Sequence, residues 1–273
     1  MPPPARLPNV GGMRTQTSPI ILLPGGVLPA GLAYGQLLEA LGDDVEAIAK
    51  DLEMYADERA PTGFTLDVEV DGILRTAEHA GFERFHLVGY SGGGASSLEF
   101  ASRHPDRLLS LALMEPAWAG NAGQTPQEQA CWQEFDRIRA LPDAELMGEF
   151  VRVQLRSGVE PPPRPPGPPP PWMSKRPAGL KAFMHAFRND ELDLDALRSF
   201  DRPVYFALGG LSNPHYYERM ADRLAMIFPD FTVEVYKDRH HFDPPHRAEA
   251  DRVATALKTL WARAESRAEP VAG

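Results

Sequence analysis

The sequence predicts an α/β fold: a mostly parallel central sheet covered by helices on both faces, with a helical insertion. Three observations predict it. Six short apolar runs recur along the 273 residues, and amphipathic stretches at helical spacing separate most of them. Parallel neighbours need crossover connections, so this alternation specifies a parallel sheet. One run, Phe85-His86-Leu87-Val88, passes directly into Gly89-Tyr90-Ser91-Gly92-Gly93 and then into small residues, which reads as a strand, a sharp turn with a serine at its apex, and a helix.

The elements follow in order. Residues 1–18 are rich in proline, glycine and polar residues without periodicity and are expected to form a mobile arm. The first strand is expected at 19–23 and stops at Pro24-Gly25-Gly26. Tyr34, Leu37, Leu38 and Leu41 share a helical face, with Gly42 as the stop. A strand over 45–49 follows, then a helix carrying Leu66, Val70, Ile73, Leu74 and Ala77 that ends at Gly81. After the Ser91 turn and its helix, 108–114 reads as a buried strand ending at Glu115-Pro116. The next comparable strand is 203–208, so the sheet-forming core is assigned to 19–117 and 201–265, and 118–200 to a cap insertion. Helical stretches are expected there at 128–141 and 144–155, followed by the proline-rich run 161–171. That run reads as a stiff spacer, with a proline-rich ligand for an SH3-type domain as the other reading. Tyr217, Met220, Leu224 and Ile227 mark a helix, 232–236 a last strand, and Val253, Leu257, Leu260 and Trp261 a closing helix.

Composition excludes some functions. The formal net charge of -10, with no cluster of Lys and Arg, argues against a nucleic-acid-binding surface. The single cysteine, Cys131, permits no internal disulfide and reads as a small apolar filler. No charged-then-apolar leader opens the chain and no apolar run approaches the ~20 residues that span a bilayer, so a cytoplasmic protein without a membrane partner is expected. The expected partner is a small-molecule substrate, and a homodimer stays open.

The Gly89-Tyr90-Ser91-Gly92-Gly93 turn resembles the nucleophile elbow of the α/β-hydrolase family. The resemblance covers about 20–116 and 201–262 and leaves the cap unmatched. It implies that Ser91 is a nucleophile. Two further strands normally precede the one placed here at 19, and only 18 residues are available for them, so the starting hairpin is expected to be reduced or missing.

A serine hydroxyl needs a base, usually a histidine held by a carboxylate. The family's chain order of serine, acid and histidine points to His240 or His241. The stretch Arg239-His240-His241-Phe242 resembles the family's histidine loop and favours His241. His246 is expected to cap the start of the last helix, and His86 to be structural. The family's usual acid position, after the penultimate strand, is Gly209-Gly210-Leu211-Ser212-Asn213-Pro214 and holds no carboxylate. Two readings follow: a degraded site at Asn213, or an acid moved to Glu115, which ends the strand after the nucleophile helix, a position used in part of the family. The second is preferred, because a carboxylate ending an apolar run is otherwise costly.

The oxyanion donors implied by the resemblance are the amides of Gly92 and of Gly26 or its neighbour Val27. Val27, Tyr90 and Trp118 are candidate substrate contacts. Trp132, Phe135, Phe150, Trp172, Phe183 and Phe187 supply aromatic surface in the cap, suited to an apolar acyl or aromatic group. His240, His241 and Asp243 lack zinc-site spacing and no phosphate loop is present, so neither metal nor cofactor is expected. An aspartate-nucleophile mechanism conflicts with serine at the apex. The expectation is a cofactor-independent serine hydrolase acting on an apolar or aromatic ester or lactone. Carbon-carbon bond hydrolysis, a lyase reaction or a non-catalytic receptor are the alternatives.

Overall fold

Strand β1 (Ile20–Leu23) is fully buried and lies inside a six-stranded sheet of order β2-β1-β3-β4-β5-β6 in which every neighbouring pair is parallel. The other strands are β2 (Ala47–Ala49), β3 (Phe85–Tyr90), β4 (Leu108–Met114), β5 (Val204–Gly209) and β6 (Phe231–Tyr236). The computed structural model describes residues 18–57, 63–163 and 166–268, so the arm expected at 1–18 lies outside the described residues except for Ser18. Among the described residues no strand precedes β1.

Alternation along the strands sends side chains to two cores. Ile20 and Leu22 join Val88, Ala112 and Tyr205 on the face covered by α1 (Ala30–Leu41) and α10 (Ala250–Ala268). Ile21 and Leu23 join Leu87, Leu111 and Phe206 on the opposite face, under α2 (Leu66–Ala80), α3 (Gly92–Arg103) and α8 (Tyr217–Ala225). Burial on both faces explains why these strands read as continuous apolar runs. The edge strands are the exceptions: β2 is half-buried, and Val233 and Val235 of β6 are exposed.

Between β4 and β5 the chain forms α4 (Pro126–Arg139), α5 (Asp143–Val153), α6 (Arg176–Asn189) and α7 (Leu194–Arg198). Helix α4 starts with a reciprocal capping box between Thr125 and Glu128. A buried pair, Arg223 Nη2 to Glu128 Oε1 at 3.0 Å, ties α4 to α8. The proline run holds no helix or strand over 161–163 and 166–170 and ends in a 3-10 turn at Pro171–Lys175. Helices α6, α7 and the short α9 (Pro245–Ala248) escape the sequence reading. Helices α6 and α9 open with a proline in the first turn, which suits a helix start but resembles loop punctuation in sequence. Among the described residues no helix is long and apolar enough to cross a membrane.

Candidate active site

Ser91 sits between β3 and α3 with φ 52° and ψ −116°, a left-handed conformation that a non-glycine residue adopts at a cost of about 1–3 kcal/mol. Hydrogen bonds on both sides hold it there. The Ser91 amide donates to Met114 O at 3.1 Å, and Ser91 O accepts from Ala95 N and Ala117 N at 3.0 and 2.8 Å. Helix α3 also approaches the end of β1 so closely that a Cβ on Gly93 would lie 2.5 Å from the carbonyl oxygens of Leu23 and Pro24. The Gly93 amide donates to Pro24 O at 3.0 Å, which fixes the 24–26 loop against the turn.

Glu115 is the second left-handed non-glycine residue, φ 45°, at the end of β4. The reversal aims its carboxylate across the ends of the strands. Oε1 accepts from the Gly209 amide at 2.8 Å, and Oε2 lies 3.2 Å from His241 Nδ1. His241 Nε2 in turn lies 3.0 Å from Ser91 Oγ. A carboxylate only accepts hydrogen bonds, so Nδ1 carries the imidazole proton and Nε2 is left to accept from the serine. All three side chains are buried, Ser91 being 6 % exposed.

The alternatives separate by geometry. Asn213 turns away from His241: its Nδ2 donates to Val153 O at 2.8 Å, and its Oδ1 accepts from the His215 amide at 3.0 Å. His240 Nδ1 accepts from the amides of Phe242 and Asp243, at 3.1 and 3.0 Å, and burial lowers its pKa, so its ring is a neutral turn support. His246 does not cap the last helix. It is buried between the rings of Tyr34 and Tyr90, both ring nitrogens lack a partner, and burial pushes its pKa down to about 3. His86 is structural, its Nδ1 2.8 Å from Ser110 Oγ and its ring stacked on Trp261. Burial pushes the Cys131 thiol up to about 11, which keeps it protonated and unreactive.

A narrow cleft opens beside the turn, reaching Gly92, the residue after Ser91. Gly26 and Gly92 form its floor; Trp132, Phe150, Phe183 and Phe187 are among its walls. Among the described residues neither the Gly26 nor the Gly92 amide has a protein acceptor. The three candidate substrate contacts lie elsewhere. Val27 packs half-buried against the core. Tyr90 donates its hydroxyl to His241 O and so holds the histidine loop. Trp118 is fully buried and stacks on Phe187 at 5.8 Å, supporting the wall from behind. None of the three is among the residues that line the cavity. No group of three or more potential metal ligands occurs among the described residues.

Comparison with known proteins fits this geometry. A family model described as alpha/beta hydrolase fold matches residues 19–243. The chain belongs to the alpha/beta hydrolase fold family. Within this family it is 36 % identical over 75 residues to a 2-hydroxy-6-oxo-6-phenylhexa-2,4-dienoate hydrolase of Comamonas testosteroni, covering 28 % of this chain and 26 % of that one. It is 30 % identical over 113 residues to a fluoroacetate dehalogenase of a Burkholderia species, covering 39 % and 36 %. The aligned part thus spans about a quarter to a third of these curated relatives. Among solved structures, a thermophilic esterase from Thermogutta terrifontis superposes with a TM-score of 0.68 at 20 % identity over 90 % of both chains, a likeness of fold.

Sequence reasoning missed Tyr217, which touches His241, and Gln154, which holds Tyr217. Tyr217, the first residue of α8, stacks on the imidazole with centroids 4.8 Å and planes 17° apart. Its hydroxyl donates to Gln154 Oε1 at 2.7 Å, and Gln154 borders the cavity. In the sequence, Tyr217 carried only a helical-face signal. Its nearness to the unoccupied acid position was the available clue.

Proposed function

We propose that this chain is a cofactor-independent serine hydrolase that cleaves an apolar or aromatic carboxylic ester, lactones included, through an acyl-enzyme. The observation that carries the reading is His241, set between Ser91 Oγ at 3.0 Å and Glu115 Oε2 at 3.2 Å, with an aromatic-lined cleft reaching Gly92 next to the serine. Ser91 Oγ attacks the carbonyl carbon as His241 Nε2 takes its proton. Glu115 keeps the imidazole in the required tautomer and stabilises the imidazolium. The Gly26 and Gly92 amides receive the negative charge of the tetrahedral intermediate, a contribution typically worth a hundredfold or more per donor. The imidazolium then protonates the leaving alkoxide. Water, deprotonated by His241, attacks the acyl ester and releases the acid and free Ser91. Serine chemistry suits acyl transfer because an acyl ester hydrolyses readily, whereas an alkyl ether on Ser91 would not.

Hydrolysis of a carbon-carbon bond beside a carbonyl is the second reading, favoured by the stretch shared with the dienoate hydrolase. A panel of nitrophenyl esters of increasing acyl length, assayed with wild type and Ser91→Ala, tests the first. The reading expects turnover by wild type and none by Ser91→Ala. A wild type that is inert across the panel overturns it, leaving carbon-carbon cleavage or a receptor.

A further inference from the structure

Two arginines are buried among the described residues, and they differ in a way that needs a cause. Arg223 is paired, its guanidinium bonded to Glu128 and to Ala119 O. Arg176, 4 % exposed, makes no ion pair among the described residues, and its Nε and Nη1 are buried without any hydrogen-bond partner. A buried cation without a counter-charge is costly, and buried N–H groups without acceptors add to the cost.

The position of Arg176 suggests what supplies the missing charge. Arg176 opens α6, and Leu180, Phe183, Met184 and Phe187 follow it at the four- and three-residue steps of one helical stripe. Those four residues are cavity wall, and Arg176 lies one turn N-terminal to Leu180 on the same helical stripe. Two rings grip its guanidinium: Tyr55, centroid 3.8 Å from Cζ, and Trp172, at 5.3 Å. Tyr55 links the group to the site. Its hydroxyl donates to Gly26 O at 2.7 Å, and α6 presses on it so closely that a Cβ on Gly179 would lie 2.2 Å from its ring. The aromatic faces offset part of the charge and fix the guanidinium plane, but leave Nε and Nη1 without acceptors.

We propose that Arg176 is the receptor for a carboxylate carried by the substrate at the end remote from the scissile carbonyl. The apolar stretch between Gly26 and Arg176 then receives the connecting carbon chain, and the substrate is a half-ester or keto acid rather than a neutral ester. The inference rests on the hydrolase reading for the identity of the scissile group, and on Arg176 alone for the anion.

Binding to Ser91→Ala separates the two, because it needs no turnover. Isothermal titration of Ser91→Ala with monomethyl glutarate, an anion, and with dimethyl glutarate, its neutral diester, is expected to show about 30-fold tighter binding of the anion. Adding Arg176→Met is expected to erase that preference, and Arg176→Lys to restore part of it. Equal affinities for the two ligands, no measurable binding of either, or a preference that survives Arg176→Met overturns the proposal. The preference measured in Ser91→Ala with Arg176 intact is decisive even if Arg176→Met fails to fold. An intact anion preference in a protein that hydrolyses no ester or keto acid instead overturns the hydrolase reading alone.

Discussion

The Tyr217 ring lies flat against the His241 imidazole, centroids 4.8 Å and planes 17° apart. Tyr217 follows the loop after β5, where most of the family is expected to carry the acid. With Glu115 serving the histidine from β4, this loop is free for another task. It fastens the end of α5, through Asn213 to Val153 O and through Tyr217 to Gln154, and it places an aromatic face on the base.

Tyr217→Leu removes the flat support and lets the imidazole tilt away from Ser91. Misplacing a reacting group by about an ångström costs on the order of a hundredfold, so kcat is expected to fall by about that factor with KM little changed. Tyr217→Phe keeps the stack and is expected to keep most of kcat. Steady-state kinetics on one nitrophenyl ester checks both, and equal effects of the two variants would place the role in the hydroxyl instead.

Glu115→Gln retains the shape of the acid but loses its charge. The imidazolium is then unsupported and the tautomer no longer enforced, so kcat is expected to fall on the order of a thousandfold or more. Asn213→Asp is not expected to raise activity. It trades a hydrogen bond to Val153 O for a carboxylate facing that carbonyl, and thermal denaturation should show a loss of about 1–3 kcal/mol.

The elbow was legible in sequence because its chemistry is local: a strand, a serine between glycines, and a helix. The same holds for the sheet, since strands buried on both faces are apolar throughout. His241 and Glu115 needed chain order and a strand end, both one-dimensional signals. The candidate contacts Tyr90, Trp118 and Val27 show what such signals leave out. Nearness in sequence to the turn or to the end of β4 does not say which way a side chain points: Trp118 is fully buried, Tyr90 bonds the histidine loop and Val27 is half-buried against the core. Arg176 was invisible as a site residue, because an arginine after a proline run reads as solvated until its burial is known.

Gly93→Ala tests the close approach of α3 to β1. Its Cβ would meet two backbone oxygens at 2.5 Å, and neither can swing aside as a side chain would. The variant is expected to lose about 1–3 kcal/mol, measured by chemical denaturation, together with most activity. Wild-type stability would contradict the packing described.

His246 sets an acid limit on stability. Its pKa is pushed down to about 3 in the folded protein, by burial first, against about 6.5 in an unfolded chain. Between these values the unfolded state binds the extra proton. The contribution is therefore complete above about pH 6.5 and is lost as pH falls toward 3, at up to about 1.4 kcal/mol per pH unit. His246→Phe should flatten this part of the stability profile in urea melts between pH 4 and 7, whatever its effect at neutral pH. An unchanged slope would contradict the burial.

The central claim is that Ser91 is a nucleophile activated by His241 and Glu115, and covalent labelling tests it most directly. A fluorophosphonate should add one phosphonyl group to wild type, seen by intact-protein mass spectrometry and mapped to Ser91. Ser91→Ala should take up none, and Glu115→Gln should react far more slowly. A wild type left unlabelled under conditions that saturate a control esterase, or a Glu115→Gln variant labelled at the wild-type rate, would contradict the account.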